Sequence, residues 1–137
     1  MANPSLAQRA LIRPQYHFRW IDGELHSWDV RKLAALVADL PVIEVPLADI
    51  SEINEPYWFG EGGDVPTCKR VMEHAAQAVG VDLSYPILLC AEGRIMDGMH
   101  RVMKAFGLGH ETIKAQRLPV TPPPHNIGKG PDELSYD

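Results

Sequence analysis

Only two of the 137 residues are cysteine, Cys68 and Cys90, far apart and in no metal-ligand spacing. That excludes a scaffold stapled by several disulfides and a cysteine-based zinc site. Both cysteines occupy apolar positions, so the expectation is two buried free thiols, which suits a reducing cytosol. No apolar run approaches the length of a membrane span, and Met1 to Ala10 lacks the apolar core of a signal peptide. A cytoplasmic chain with no membrane partner is expected. Positive charge is also in deficit: 13 Lys and Arg stand against 18 Asp and Glu, for a net charge of −5 and a pI of about 5.6. The basic residues are scattered, whereas binding to a phosphodiester backbone needs them clustered, so a nucleic-acid partner is disfavoured.

What is present fits one domain with a modest core: 137 residues, 45% of them hydrophobic. Residues 1–14 read as an N-terminal arm, 15–118 as the domain, and 119–137 as an extended tail rich in Pro and Gly. The termini are where a homodimer contact or a protein partner would engage. Tyr16 to Trp20 alternates as a strand, Asp22-Gly23 turns it, and Glu24 to Trp28 returns, with His17 and His26 facing one another in a structural role. Asp29 caps a helix over Val30 to Leu40 whose buried face is Val30, Leu33, Ala34 and Val37. Val42 to Pro46 is a strand, and Leu47 to Gly63 a loop carrying Asp49, Glu52 and Glu55 beside Tyr57 and Trp58. Asp64 or Thr67 caps the next helix, whose apolar stripe is Cys68, Val71, Met72, Ala75 and Val79, with Lys69 and Arg70 near its start, solvated or within reach of a phosphate. Glu111 to Leu118 alternates as a last strand, placed beside the strand at Pro86.

The chemistry concentrates between Tyr85 and Gly109. A short apolar strand from Pro86 meets a turn at Glu92-Gly93-Arg94, and a second strand, Arg94 to Met96, runs into Asp97-Gly98. A helix begins at once, with Met99, Val102, Met103 and Phe106 as its apolar stripe and Gly107 and Gly109 at its end. The first turn of a helix has unpartnered N–H groups and partial positive charge, which suit an anion and phosphate above all. Gly98 would let that anion approach, His100 and Arg101 would overhang it, and Asp97 would cap the helix or orient the ligand.

Residues 42–118 resemble the core of the ParB/sulfiredoxin superfamily, in the form of a stand-alone ParB-like N-terminal (ParB-like nuclease) domain. The resemblance rests on Pro86-Ile87-Leu88-Leu89, Gly93-Arg94, Asp97-Gly98-Met99-His100-Arg101 and Phe106-Gly107-Leu108-Gly109, with Val45 to Ile50 as the opening strand and turn. It implies an α/β (α+β) fold: a small mixed β-sheet with helices mainly on one side. It also implies a nucleotide, ATP or CTP with Mg²⁺, whose phosphates are held by Asp97, Gly98, Met99, His100 and Arg101 with help from Arg94. Kinase-like members use a glutamate after the first strand as base; by position Glu55 is the nearest match, Glu52 the second, and His100 joins them as a catalytic candidate. A small phosphotransferase or nucleotide hydrolase follows, and a non-catalytic binding or regulatory module is the alternative. Sulfiredoxins carry a cysteine immediately before the His-Arg pair; Met99 stands there, and a thioether cannot do that chemistry. Partition proteins add DNA-binding and dimerisation segments, for which this sequence offers no match.

Overall fold

Asp22 and Gly23 both adopt positive φ, 51° and 80°, the pair of left-handed residues that a two-residue hairpin turn matched to strand twist requires. In the computed structural model, which describes residues 16–60 and 63–134, this turn joins β1 (Tyr16–Ile21) to β2 (Glu24–Asp29). The arm expected over residues 1–14 lies outside the described residues. The register sets His17 opposite Trp28 and Arg19 opposite His26, so the two histidines do not face one another as the alternation suggested. The hairpin forms a sheet of its own, completed by β7 (Asn126–Ile127) antiparallel to β2. The tail is thus tied to the body: Trp28 Nε1 donates to Pro122 O at 2.9 Å, and His125 Nδ1 accepts the Asp29 N–H at 2.8 Å.

The second sheet is mixed, in the order β3-β6-β4-β5, with β3 (Ile43–Pro46), β4 (Ile87–Leu89), β5 (Ile95–Asp97) and β6 (Thr112–Arg117). β6 runs parallel to β4 and antiparallel to β3. The protein is therefore a small mixed α+β domain of three described helices and two small sheets. Successive strand residues point to opposite faces, and β4 divides its side chains accordingly. Ile87 and Leu89 enter one core with Ile95, Ile113 and Ala115, under Met99, Val102 and Ala105 of α3 (Met99–Gly107). Leu88 and Cys90 enter a second core with Trp28, Met96, Leu118 and the Leu33 and Val37 side chains of α1 (Val30–Val37).

The helices correct several expectations. Asp29 caps α1, accepting the Arg31 N–H at 2.9 Å, but the helix stops at Val37. There Gln116 Nε2 donates to the carbonyls of both Val37 and Leu40 at 3.0 Å, satisfying the helix end early. Of its expected buried face only Leu33 and Val37 are buried. α2 (Cys68–Gly80) is capped by Thr67 rather than Asp64, and it turns its apolar stripe outward. Met72 is 65% and Val79 76% exposed, Cys68 is exposed, and the buried residues are His74 and Ala78. On α3, Phe106 is exposed while Ala105 is fully buried, because a small side chain lets the helix lie close to the sheet.

Candidate functional site

The turn from β5 into α3 is built on Gly98. Its φ is +110°, and a Cβ there would stand 2.7 Å from Ile87 Cγ2 and 3.0 Å from Arg101 Nη2, so only glycine lets the turn rest on β4 with a guanidinium over it. No side chain caps the start of α3. Asp97 is therefore not the cap that its position suggested; its Oδ2 accepts from Arg101 Nη2 at 3.0 Å. Arg101 Nη1 donates to the carbonyls of Tyr85 at 3.1 Å and Pro86 at 2.7 Å. Nη1 thus clamps α3 to the chain entering β4 while Nη2 holds the end of β5, and the positive charge stays against Gly98. The Met99 side chain is buried in the core; what this residue brings to the turn is its backbone.

The glutamates and Arg94 form a second group. Ser51 to Asn54 make a 3₁₀ turn, which swings Glu52 inward until it is 1% exposed. Its Oε2 accepts the Ile95 N–H at 2.5 Å and lies 4.0 Å from Arg94 Nε. Glu55 meets Arg94 in a two-pronged pair, Oε1 to Nη2 at 2.7 Å and Oε2 to Nη1 at 3.2 Å. That guanidinium holds the Glu55 carboxyl below the usual carboxylate range. These residues line a cleft of about 400 Å³ with His17, Arg19 and Tyr57. His17 Nε2 accepts from Arg19 Nε at 2.8 Å; burial first, then the charges of Arg19 and Arg94, pull its pKa down to about 3. Burial, with the carboxylates of Glu52 and Asp97 nearby, pushes the Tyr57 phenol up to about 12, so it remains a hydrogen-bond donor.

His100 belongs to a third group, gathered around Trp58. Its ring stacks on Trp58 with centroids 4.6 Å apart, and the same indole stacks on His74 at 4.0 Å. His74 Nδ1 lies 3.0 Å from His100 Nε2, and His74 Nε2 lies 3.2 Å from Asp64 Oδ2. Asp64 Oδ2 also accepts from Arg70 Nη2 at 2.5 Å. Burial, then the neighbouring His74, lowers the His100 pKa to about 4, so this imidazole is neutral at pH 7.

The structure thus brings Glu52, Glu55 and Arg94 together on one cleft, and Asp97, Gly98 and Arg101 together at the α3 start. His100 is set apart among residues that the sequence reading did not group with it: Trp58, Asp64, Arg70 and His74. One signal for them was available, since Arg70 and His74 are four apart on α2 and share a face. Among the described residues no group of three or more His, Cys, Asp or Glu is placed to hold a metal ion, and no helix is long and apolar enough to cross a membrane. Comparison with family models, with curated proteins and with solved structures finds no match to this chain.

Proposed function

We propose that this chain binds a nucleotide, with the phosphates resting at the start of α3. The observation that carries this reading is the uncapped first turn of α3 after a left-handed Gly98, with the Arg101 guanidinium lying against that glycine. Unpartnered amides, helix dipole and a fixed cation then act on the same small volume. The resemblance to ParB/sulfiredoxin domains points to the same turn. Phosphate would be held by the backbone amides of Met99 and His100 and by the charge of Arg101, whose hydrogen bonds already serve the fold. Mg²⁺ arriving with a nucleotide needs only one or two carboxylates beside phosphate oxygens. Asp97, with its side chain 34% exposed, fits that part better than Glu52, whose Oε2 is taken by Ile95.

The Arg94–Glu55 and Arg101–Asp97 pairs favour binding over phosphotransfer as the minimal activity. A Glu55 held ionised by Arg94 is a weak proton acceptor, so transfer by that residue would require it to leave its partner. A non-catalytic regulatory module is the second reading, and these ion pairs are what support it. Thermal unfolding with ATP, CTP and ADP, each with and without Mg²⁺, tests the binding. A ligand at one hundred times its Kd stabilises by about 2.7 kcal/mol, so at least one nucleotide should raise Tm by several degrees. No shift with any of them at millimolar concentration overturns the reading.

A further inference from the structure

β1 is the end strand of the order β1-β2-β7, so one of its edges has no neighbouring strand. The far side of β2 reveals which backbone groups look out from that edge. Ser27 O accepts from His125 N, and Leu25 O from Gly128 N, each at 2.8 Å, so both residues turn their backbone toward β7. In an antiparallel pair, facing residues alternate between bonding each other and pointing away from each other. Phe18 and Trp20 stand opposite Ser27 and Leu25 and therefore present N–H and C=O outward. Among the described residues no backbone partner meets them on that side.

The cleft of about 400 Å³ runs along this edge. One of its walls is five consecutive residues, 17–21. Successive side chains of a strand point to opposite faces, so what these five residues share is the edge itself. The other wall carries Glu55, Tyr57, Arg94 and Ile95. β5 also ends its sheet, but there Glu52 takes the Ile95 N–H and Arg19 Nη2 donates to Ile95 O at 3.4 Å. An edge with open backbone groups is a template for another chain unless something blunts it. β5 is blunted at Ile95, and β1 is open at Phe18 and Trp20.

Arg19 supplies the charge. It is half-buried, its Nε donates to His17, and it forms no ion pair among the described residues. Arg94 in the same cleft is matched by Glu55. A guanidinium drawn out of water without a counter-ion favours an anion brought from outside. The Tyr57 phenol stands within range of the Arg19 charge and stays protonated, which adds a donor to the cleft. Residues 1–15 contain two arginines and neither Asp nor Glu, so their side chains cannot supply the missing carboxylate. A second copy pairing β1 with β1 through Phe18 and Trp20 would set Arg19 against Arg19.

We propose that the free edge of β1 binds an extended peptide, antiparallel to the strand, with Asp or Glu opposite Arg19 and an apolar residue on either side. The peptide residues opposite Phe18 and Trp20 exchange both backbone bonds with them. The residue between faces Arg19 in the close pairing, with Cβ atoms about 4.5–5.5 Å apart, where opposite charge is favourable. Its two neighbours turn to the other face of the strand, beside Phe18 and the 62% exposed Trp20. Nothing in this depends on the nucleotide reading.

Titration of acetyl-Thr-Val-Glu-Val-Thr-amide into the ¹⁵N-labelled full chain, followed by ¹H–¹⁵N shifts, gives affinity and place together. The Phe18 and Trp20 amides should shift and exchange more slowly with solvent. The same peptide with Gln for Glu should bind about 5-fold more weakly, and with Lys more weakly still. Arg19→Glu should reverse the order of the Glu and Lys peptides, and Arg19→Gln should make all three bind alike. No saturable shift with the Glu peptide at millimolar concentration overturns the proposal. So do equal affinities of the native chain for the Glu and Gln peptides, or shifts that miss Phe18 and Trp20. Slow exchange at both amides before peptide is added also overturns it. Protection that rises with protein concentration would then give the edge to a second copy, and protection that does not would give it to residues 1–15.

Discussion

Glu52 Oε2 accepts the backbone N–H of Ile95 at 2.5 Å, joining a buried carboxylate to a residue 43 positions away in sequence. The bond ties the 3₁₀ turn after β3 to the first residue of β5, and it occupies an oxygen that a catalytic reading of Glu52 would have required. Removing it strands a buried N–H. Glu52→Ala should cost about 2–3 kcal/mol, and Glu52→Gln, which keeps a carbonyl acceptor, about 1 kcal/mol. Denaturant midpoints of the two variants check this. Equal small losses would mean that the carboxylate is dispensable to the fold.

Gly98 carries a steric demand of a different kind. An alanine there would combine a φ of +110° with a Cβ 2.7 Å from Ile87 Cγ2. Left-handed strain and overpacking each cost about 1–3 kcal/mol, so Gly98→Ala should destabilise by about 3 kcal/mol. Gly23→Ala, with φ +80° but open space around it, should show the strain alone, about 1–2 kcal/mol. Thermal unfolding of the two variants separates clash from strain.

Local signals made the strands, the hairpin turn and the Gly98 turn legible in the sequence. Asp22-Gly23 and Gly93 adopt the positive φ that their turns need, and β6 does lie beside β4. Gly98 to Arg101 does form a helix start, directly after Asp97 ends β5. What the pattern could not give was the use of each polar group. Arg101 has the same donors whether it faces phosphate or the carbonyls of Tyr85 and Pro86, and only the path of the chain into β4 decides. Nor does periodicity reveal that His74 meets Asp64 and His100, since those contacts depend on how the loop before α2 folds.

The α2 helix makes the same point about apolar residues. Periodicity locates a stripe but not the direction it faces, and here Met72 and Val79 point to solvent while Ala78 is buried. Met72→Gln and Val79→Lys should each stay within about 0.5 kcal/mol of the native stability. Ala78→Leu, forced into a packed contact, should lose about 1–3 kcal/mol. A large loss at Met72 or Val79 would show that this face is covered in solution, and the same variants run through analytical ultracentrifugation would show whether a second copy covers it.

Acid should weaken this protein well above the pH at which most carboxylates titrate. His17 is held down to about 3 and His100 to about 4, both from 6.5, chiefly by burial. The folded chain keeps these rings neutral while the unfolded chain protonates them, so the unfolded state binds more protons below pH 6.5. Stability is then complete above about pH 6.5 and falls as pH drops toward 4, by up to about 1.4 kcal/mol per pH unit for each such histidine. The depressed carboxyls of Glu55 and Asp64 add losses of the same sign further down, as pH passes through their lowered values. His17→Gln retains an acceptor for Arg19 and removes one titration, so its Tm should fall less steeply between pH 6.5 and 4 than that of the native chain. Parallel curves for the two would mean that His17 is protonated in the folded state, which would contradict its role as acceptor for the Arg19 Nε–H.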